Sequence, residues 1–188
     1  MTTPTDALLA LAPLLQYPGD DAAAAARRAL GTLAAALPEA AAALEPFVVH
    51  VERASPDALE EAFTRTFDWS EDRSLDLGWH LYGDRYDRGA FLVQARAMRR
   101  AAGIDDDGEL PDHLPSLLRV LPHLPGTHAA EFARDFLVPA LARLRKGFED
   151  GDNPWAAVVD AVRAAVAALA ATAPATAPAL AAPTGDAR

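Results

Sequence analysis

Cysteine is absent from this chain of 188 residues, which excludes a disulfide framework, a thiolate nucleophile and a Cys-ligated zinc. Isoleucine occurs once, at Ile104, and no Val/Ile/Thr run alternates with period two. Strands are therefore not expected. Apolar runs are broken by charge or proline well short of the ~20 residues a membrane span requires. Met1-Thr2-Thr3-Pro4-Thr5-Asp6 lacks the basic n-region of a secretory signal, so the expectation is a cytoplasmic protein with no stable membrane association. Glycines are isolated, with neither a phosphate-cradling G-x-x-x-x-G-K-[ST] or G-x-G-x-x-G context nor a nucleophile elbow. Basic residues are the minority: 17 against 27 acidic ones, a net charge of -10. A phosphate backbone would be repelled, so nucleic acid is excluded as a partner. A basic peptide suits such a surface, although plain solubility is the simpler reading of the charge alone.

Metal and acid–base chemistry find little support. His50, His80, His113, His123 and His128 include no i, i+4 pair with an intervening Glu, the spacing zinc hydrolases use. No Glu-x-x-His occurs, as facing helices of a di-iron bundle would need. Asp68, Asp72, Asp76, Asp84 and Asp87 crowd between Phe67 and Gly89, but without a paired base they define no acid–base constellation. The chain is read as non-catalytic, with no cofactor.

What is present is helical periodicity, and the expected fold is all-α: one globular, orthogonal helical bundle. Leu8, Leu11 and Leu15 form a stripe over Asp6–Gln16, kinked at Pro13. Tyr17-Pro18-Gly19-Asp20 is a turn, and Asp20 or Asp21 caps an alanine-rich helix to about Leu37. Pro38 opens a third helix carrying Leu44, Phe47, Val48 and Val51, with Pro46 placed to bend or split it. Ser55-Pro56 is an N-cap followed by proline at N1, and Leu59, Ala62, Phe63, Thr66 and Phe67 then share one face. A helix near Ser74–Tyr82 leads into a Gly83–Gly89 loop. Ala90–Ala102 is helical, with Gly103 at C′. Thr127 caps a helix to about Phe148, and Asn153-Pro154 starts the last, through Leu169. Residues 1–171 are read as one domain. Residues 172–188, rich in Ala, Pro and Thr, are read as a disordered tail.

Two segments fit neither helix nor strand: Gly83-Asp84-Arg85-Tyr86-Asp87-Arg88-Gly89 and Glu109-Leu110-Pro111-Asp112-His113-Leu114-Pro115. Pro111 and Pro115 fix their own φ and bias the preceding residues away from helix. Asp112 and His113 thus stand at a rigid bend where an apolar helix begins. For Asp112 an N-cap and a ligand role stay level. An imidazole changes charge near neutral pH, so binding at His113 is expected to depend on pH. Trp69, Trp79, His80, Leu81, Tyr82 and Tyr86 offer large amphipathic side chains of the kind that line peptide grooves. The alternative is that Trp79 and Tyr82 are core.

Leu14-Leu15-Gln16-Tyr17-Pro18, Phe67-Asp68, Ser74-Leu75, Gly83-Asp84-x-x-Asp87-Arg88-Gly89 and the Glu109–Pro115 segment, in that order, resemble the NarJ-type family. These are delta-type chaperones for molybdenum-cofactor assembly of respiratory nitrate reductase, within the all-helical TorD/DmsD-like redox-enzyme maturation proteins. The likeness runs from about Leu8 to Leu169. It implies a cytoplasmic, non-enzymatic protein that binds the catalytic alpha subunit, notably its N-terminal segment. Such a protein keeps the subunit competent for cofactor insertion and delays membrane docking, with molybdenum-cofactor delivery proteins as further partners. It also implies a client-peptide site at Asp112 and His113 with Leu110, Pro111, Leu114, Trp79 and Tyr82, flanked by Gly83, Asp84, Asp87, Arg88 and Gly89. Two rivals stand beside it: a maturation chaperone for another molybdoenzyme that reads a twin-arginine leader, and a helical metal-dependent enzyme using the aspartates and His113.

Overall fold

A computed structural model describes residues 3–105, 108–149 and 151–174. The chain runs through α1 (Pro4–Leu11), α2 (Ala22–Ala36), α3 (Pro38–Arg53), α4 (Pro56–Phe67), α5 (Leu77–Tyr82) and α6 (Asp87–Ala101). It continues with α7 (Leu114–Val120), α8 (His128–Phe132), α9 (Val138–Lys146) and α10 (Trp155–Ala170). Among the described residues no strand forms, and a single antiparallel bridge joins Asp76 to His113. The all-α expectation holds.

Local signals set several helix ends. Ser55 Oγ accepts the Ala58 N–H at 3.3 Å with Pro56 in the first turn, which satisfies one orphan donor. Asn153 Oδ1 accepts the Trp155 N–H at 3.0 Å and starts α10. Gly103 lies just past α6 at φ +67°, a conformation that disfavours a Cβ. The stripe of α1 breaks before Pro13 into a 3₁₀ turn, Ala12–Leu15.

Four expectations are corrected. Pro46 does not split α3, which is continuous from Pro38 to Arg53. Proline has no N–H for the carbonyl one turn back, on Ala42, and that residue is exposed. The Gly83–Gly89 segment is not all loop, because α6 begins at Asp87, with that carboxylate in its first turn. Thr127 does not cap a backbone N–H; its Oγ1 donates to Glu131 Oε1. The long helix to Phe148 is interrupted by a π-helical turn, Ala133–Leu137. Pro139 has no N–H to offer the preceding turn, and the helix widens ahead of it.

The core is built on α10. Trp155 is almost fully buried, and its Nε1–H donates to the Leu14 carbonyl at 3.1 Å. The rings of Phe47, Phe63 and Phe67 meet it edge-on with centroids 5.4, 5.7 and 6.0 Å away. Such pairs add about 0.5–1.5 kcal/mol each beyond their buried area. This cluster fixes α4 and the end of the α1 segment relative to each other, and their free ends frame the site described next. The described chain extends past the expected domain end: Thr172 Oγ1 donates to the Leu169 carbonyl, and Ala173 packs on the core. Residues 175–188 of the expected tail lie outside the described residues.

Candidate functional site

Segment 74–77 and segment 112–114 are laced together ahead of α5 and α7. Leu114 N–H donates to the Leu75 carbonyl at 2.8 Å, and Leu77 N–H to the Asp112 carbonyl at 3.1 Å. The bend is held elsewhere too. Arg99, buried on α6, donates from Nη2 to the Asp105 carbonyl at 2.6 Å and from Nη1 to the Glu109 carbonyl at 3.4 Å. On the other side, His80 Nε2–H donates to the Ser74 carbonyl at 2.7 Å, and Arg73 Nε–H to the Gly147 carbonyl at 2.8 Å.

Asp112 is fully buried. Its Oδ2 accepts the Gly78 N–H at 2.8 Å, so it caps α5 across the fold. The N-cap position of its own helix, α7, is His113. The N-cap reading of Asp112 is thus corrected in its geometry: the carboxylate caps, but it caps a helix distant in sequence, and it is enclosed. Leu114 is fully buried core and offers nothing to a ligand arriving at the surface. Gly78 is required by this packing, because a Cβ there would lie 2.5 Å from Asp112 Oδ2 and 3.1 Å from the Phe91 ring.

Against the laced segments opens a cavity of about 720 Å³. One wall is Leu15, Gln16 and Tyr17 and another is Phe63, Phe67 and Asp68, with Ser74, Leu75 and Asp76 beside Glu109 and His113 at the back. Asp68, Asp76 and Glu109 give it a negative lining, and Tyr17, whose hydroxyl donates to Glu60 at 3.0 Å, stands exposed at its rim. Tyr17 also borders a second cavity of about 360 Å³ with Leu14, Pro18, Phe47, Leu59 and Trp155. An acidic compartment therefore adjoins an apolar one.

The electrostatics centre on Asp76. Burial pushes its carboxyl up to about 6, the Asp112 carboxylate adds to the rise, Arg88 opposes it and Glu109 adds again. Burial likewise raises Asp112, against the Gly78 N–H and Arg88. Arg88 Nη2 lies 3.6 Å from Asp76 Oδ2, and its guanidinium sits 5.7 Å over the Trp79 ring. Burial lowers the His80 imidazole, with the Ser74 carbonyl opposing, which favours the neutral ring.

Of the residues expected at a client site, His113 lines the large cavity, while Arg88 and Trp79 line a smaller one that shares Asp76 with it. Leu110 and Pro111 border a different cavity with Arg96, Arg99 and Arg100. Tyr82, half-buried, packs on Phe91 at 5.8 Å, and Gly83 ends α5 at φ +57°. Asp84, Asp87 and Gly89 are exposed and outside the large cavity's lining. Sequence reasoning missed Gln16, Tyr17, Phe63, Asp68, Ser74 and Asp76 as site residues. A signal existed, since most of them stand in or beside the short motifs that carry the resemblance. Among the described residues no group of three or more metal-ligating side chains gathers, and no helix is long and apolar enough to cross a membrane.

Residues 22–161 match the family described as nitrate reductase delta subunit. The chain is 32% identical over 123 residues to the nitrate reductase molybdenum cofactor assembly chaperone NarJ of Escherichia coli (strain K12), covering 65% of this chain and 52% of that protein. It is 35% identical over 97 residues to the probable nitrate reductase molybdenum cofactor assembly chaperone NarW of the same strain, covering 51% and 42%. The chain thus spans about half the length of the curated relatives it matches. Those relatives are named as assembly chaperones and not as enzymes, in line with the non-catalytic reading of the sequence. With the match extending over most of its length, the chain belongs to the nitrate reductase delta subunit family.

Proposed function

We propose that this protein is a cytoplasmic, system-specific chaperone for molybdenum-cofactor assembly of respiratory nitrate reductase. It binds the catalytic alpha subunit through that subunit's N-terminal segment, keeps it competent for cofactor insertion, and holds back membrane docking until the enzyme is complete. Delivery proteins for the cofactor are the further partners in this account, and the chaperone performs no chemistry of its own. The observation that carries the reading is the convergence of Tyr17, Asp68, Ser74, Glu109 and His113, from four separate motifs, on one acidic cavity. Three carboxylates beside an exposed aromatic suit a peptide with a basic end and an apolar face. The neighbouring apolar compartment would take such a face. A client must be released again, so the expected affinity is micromolar, about -8 kcal/mol.

Co-purification of the tagged full chain with its client, followed by mass spectrometric identification of the bound subunit, tests this. The alpha subunit of nitrate reductase is the expected catch. Recovery of a different molybdoenzyme in its place would overturn the client assignment.

A further inference from the structure

Asp76 stands in the wall common to two cavities. On one side is the large acidic cavity with Asp68, Glu109 and His113. On the other is a pocket of about 150 Å³ lined by Glu71, Ser74, Trp79 and Arg88. Arg88 reaches Asp76 only at 3.6 Å, beyond hydrogen-bonding distance, and its Nε is buried without a hydrogen-bond partner. Behind it Asp112 is fully buried, with Oδ1 also lacking a hydrogen-bond partner. Both carboxylates feel the charge of Arg88, and Asp112 also has the Gly78 N–H and His113 on its side.

We propose that Asp76 is the specificity-determining carboxylate of the large cavity, accepting one guanidinium or ammonium group of the client peptide, with Arg88 as the positioning residue that holds it from the smaller pocket. This rests on the reading of the cavity as the client site. Arg88 lines the smaller pocket and not the large cavity, so a cation entering the large cavity does not take its position. Arg88 itself is kept in place by the Trp79 ring. The charged groups that face Asp76 are Arg88 from α6, Asp112, Glu109 and His113 from the segment before α7, Asp68 after α4, and Glu71 from the turn before α5. Near pH 6 Asp76 is partly protonated, so an arriving cation drives its proton out to the buffer.

The test is calorimetric titration of the full chain with a synthetic peptide of the alpha-subunit N-terminal segment, in two buffers of different ionisation enthalpy near pH 6. Wild type is expected to bind with proton release. Asp76→Asn is expected to bind about tenfold or more weakly and to release no proton, with a melting temperature at or above that of wild type. A peptide with its basic side chains changed to glutamine should lose affinity for wild type and lose nothing further for Asp76→Asn. Arg88→Gln should move the onset of peptide binding to higher pH, and Arg88→Lys should restore it in part. Equal affinity of wild type and Asp76→Asn for the basic peptide would overturn the inference and leave the proposed function standing. A wild-type chain that does not bind the peptide at all would overturn both.

Discussion

The Asp112 carboxylate accepts the Gly78 N–H at 2.8 Å across 34 residues of chain, and there is no room for a β-carbon between them. That contact joins the start of α5 to the bend before α7, and so sets the back wall of the acidic cavity. Removing either member disturbs a different part of the bargain: Gly78 supplies space, Asp112 supplies an acceptor.

Gly78→Ala is expected to destabilise the protein by about 1–3 kcal/mol, as added volume does in a closed core. Asp112→Ala leaves the Gly78 N–H buried and unsatisfied, at a cost of about 1–3 kcal/mol. Asp112→Asn keeps an acceptor oxygen and removes a buried charge, so its stability at neutral pH should match or exceed wild type. Urea unfolding of the three variants checks this order. Because Asp112 is enclosed, Asp112→Ala should lower stability with little direct effect on peptide affinity, whereas His113→Ala should weaken binding and leave the fold intact.

Stability should depend on pH through Asp76. Its folded-state value, about 6, stands above the ordinary 3.8, so the native state holds an extra proton between those limits. The sign follows: the contribution is fully present below about pH 3.8 and is lost as pH rises through about 6. Asp112 is raised as well and acts in the same direction. His80, lowered by burial, acts oppositely and loses stability as pH falls below its ordinary 6.5. Subtracting the Asp76→Asn profile from wild type isolates the Asp76 share, expected at about 1–2 kcal/mol after allowance for partial exposure. A flat difference between pH 4 and 7 would contradict the shift attributed to Asp76.

Truncation after Pro174 should leave melting temperature within about 2 °C of wild type, at most about 1 kcal/mol for a chain of this size. Ending the chain before Thr172 should lower it, because the Thr172–Leu169 hydrogen bond and the packing of Ala173 are then lost. Thermal melts of the two shortened chains decide whether the domain ends at 171, as composition alone suggests, or at 174.

Much of the helical framework was legible because its signals are local. Ser55-Pro56, Asn153-Pro154 and Gly103 announce helix ends within a few residues, and the leucine spacing of α1 and the Leu59, Phe63, Phe67 spacing of α4 announce a buried face. The start of α6 at Asp87 was hidden by Gly89, which reads as loop but sits in a helical turn. The π-helical turn ahead of Pro139 depends on how the rod packs, which periodicity does not encode. His113 was legible as a site residue because rigid prolines flank it. Asp76 was not, since its perturbed carboxyl arises from Asp112, Arg88 and Glu109, brought together only by the fold. Asp112 misled for the same reason: its partner, Gly78, is remote in sequence.

The most direct measurement of the central claim is photo-crosslinking of the alpha-subunit N-terminal peptide. Benzoylphenylalanine in place of Tyr17, exposed at the rim of the acidic cavity, is compared with the same group in place of Val93, exposed on α6 and outside that lining. The account predicts efficient capture of the peptide from position 17, suppressed by excess unlabelled peptide, and none from position 93. Capture from position 93 with none from position 17 would contradict it.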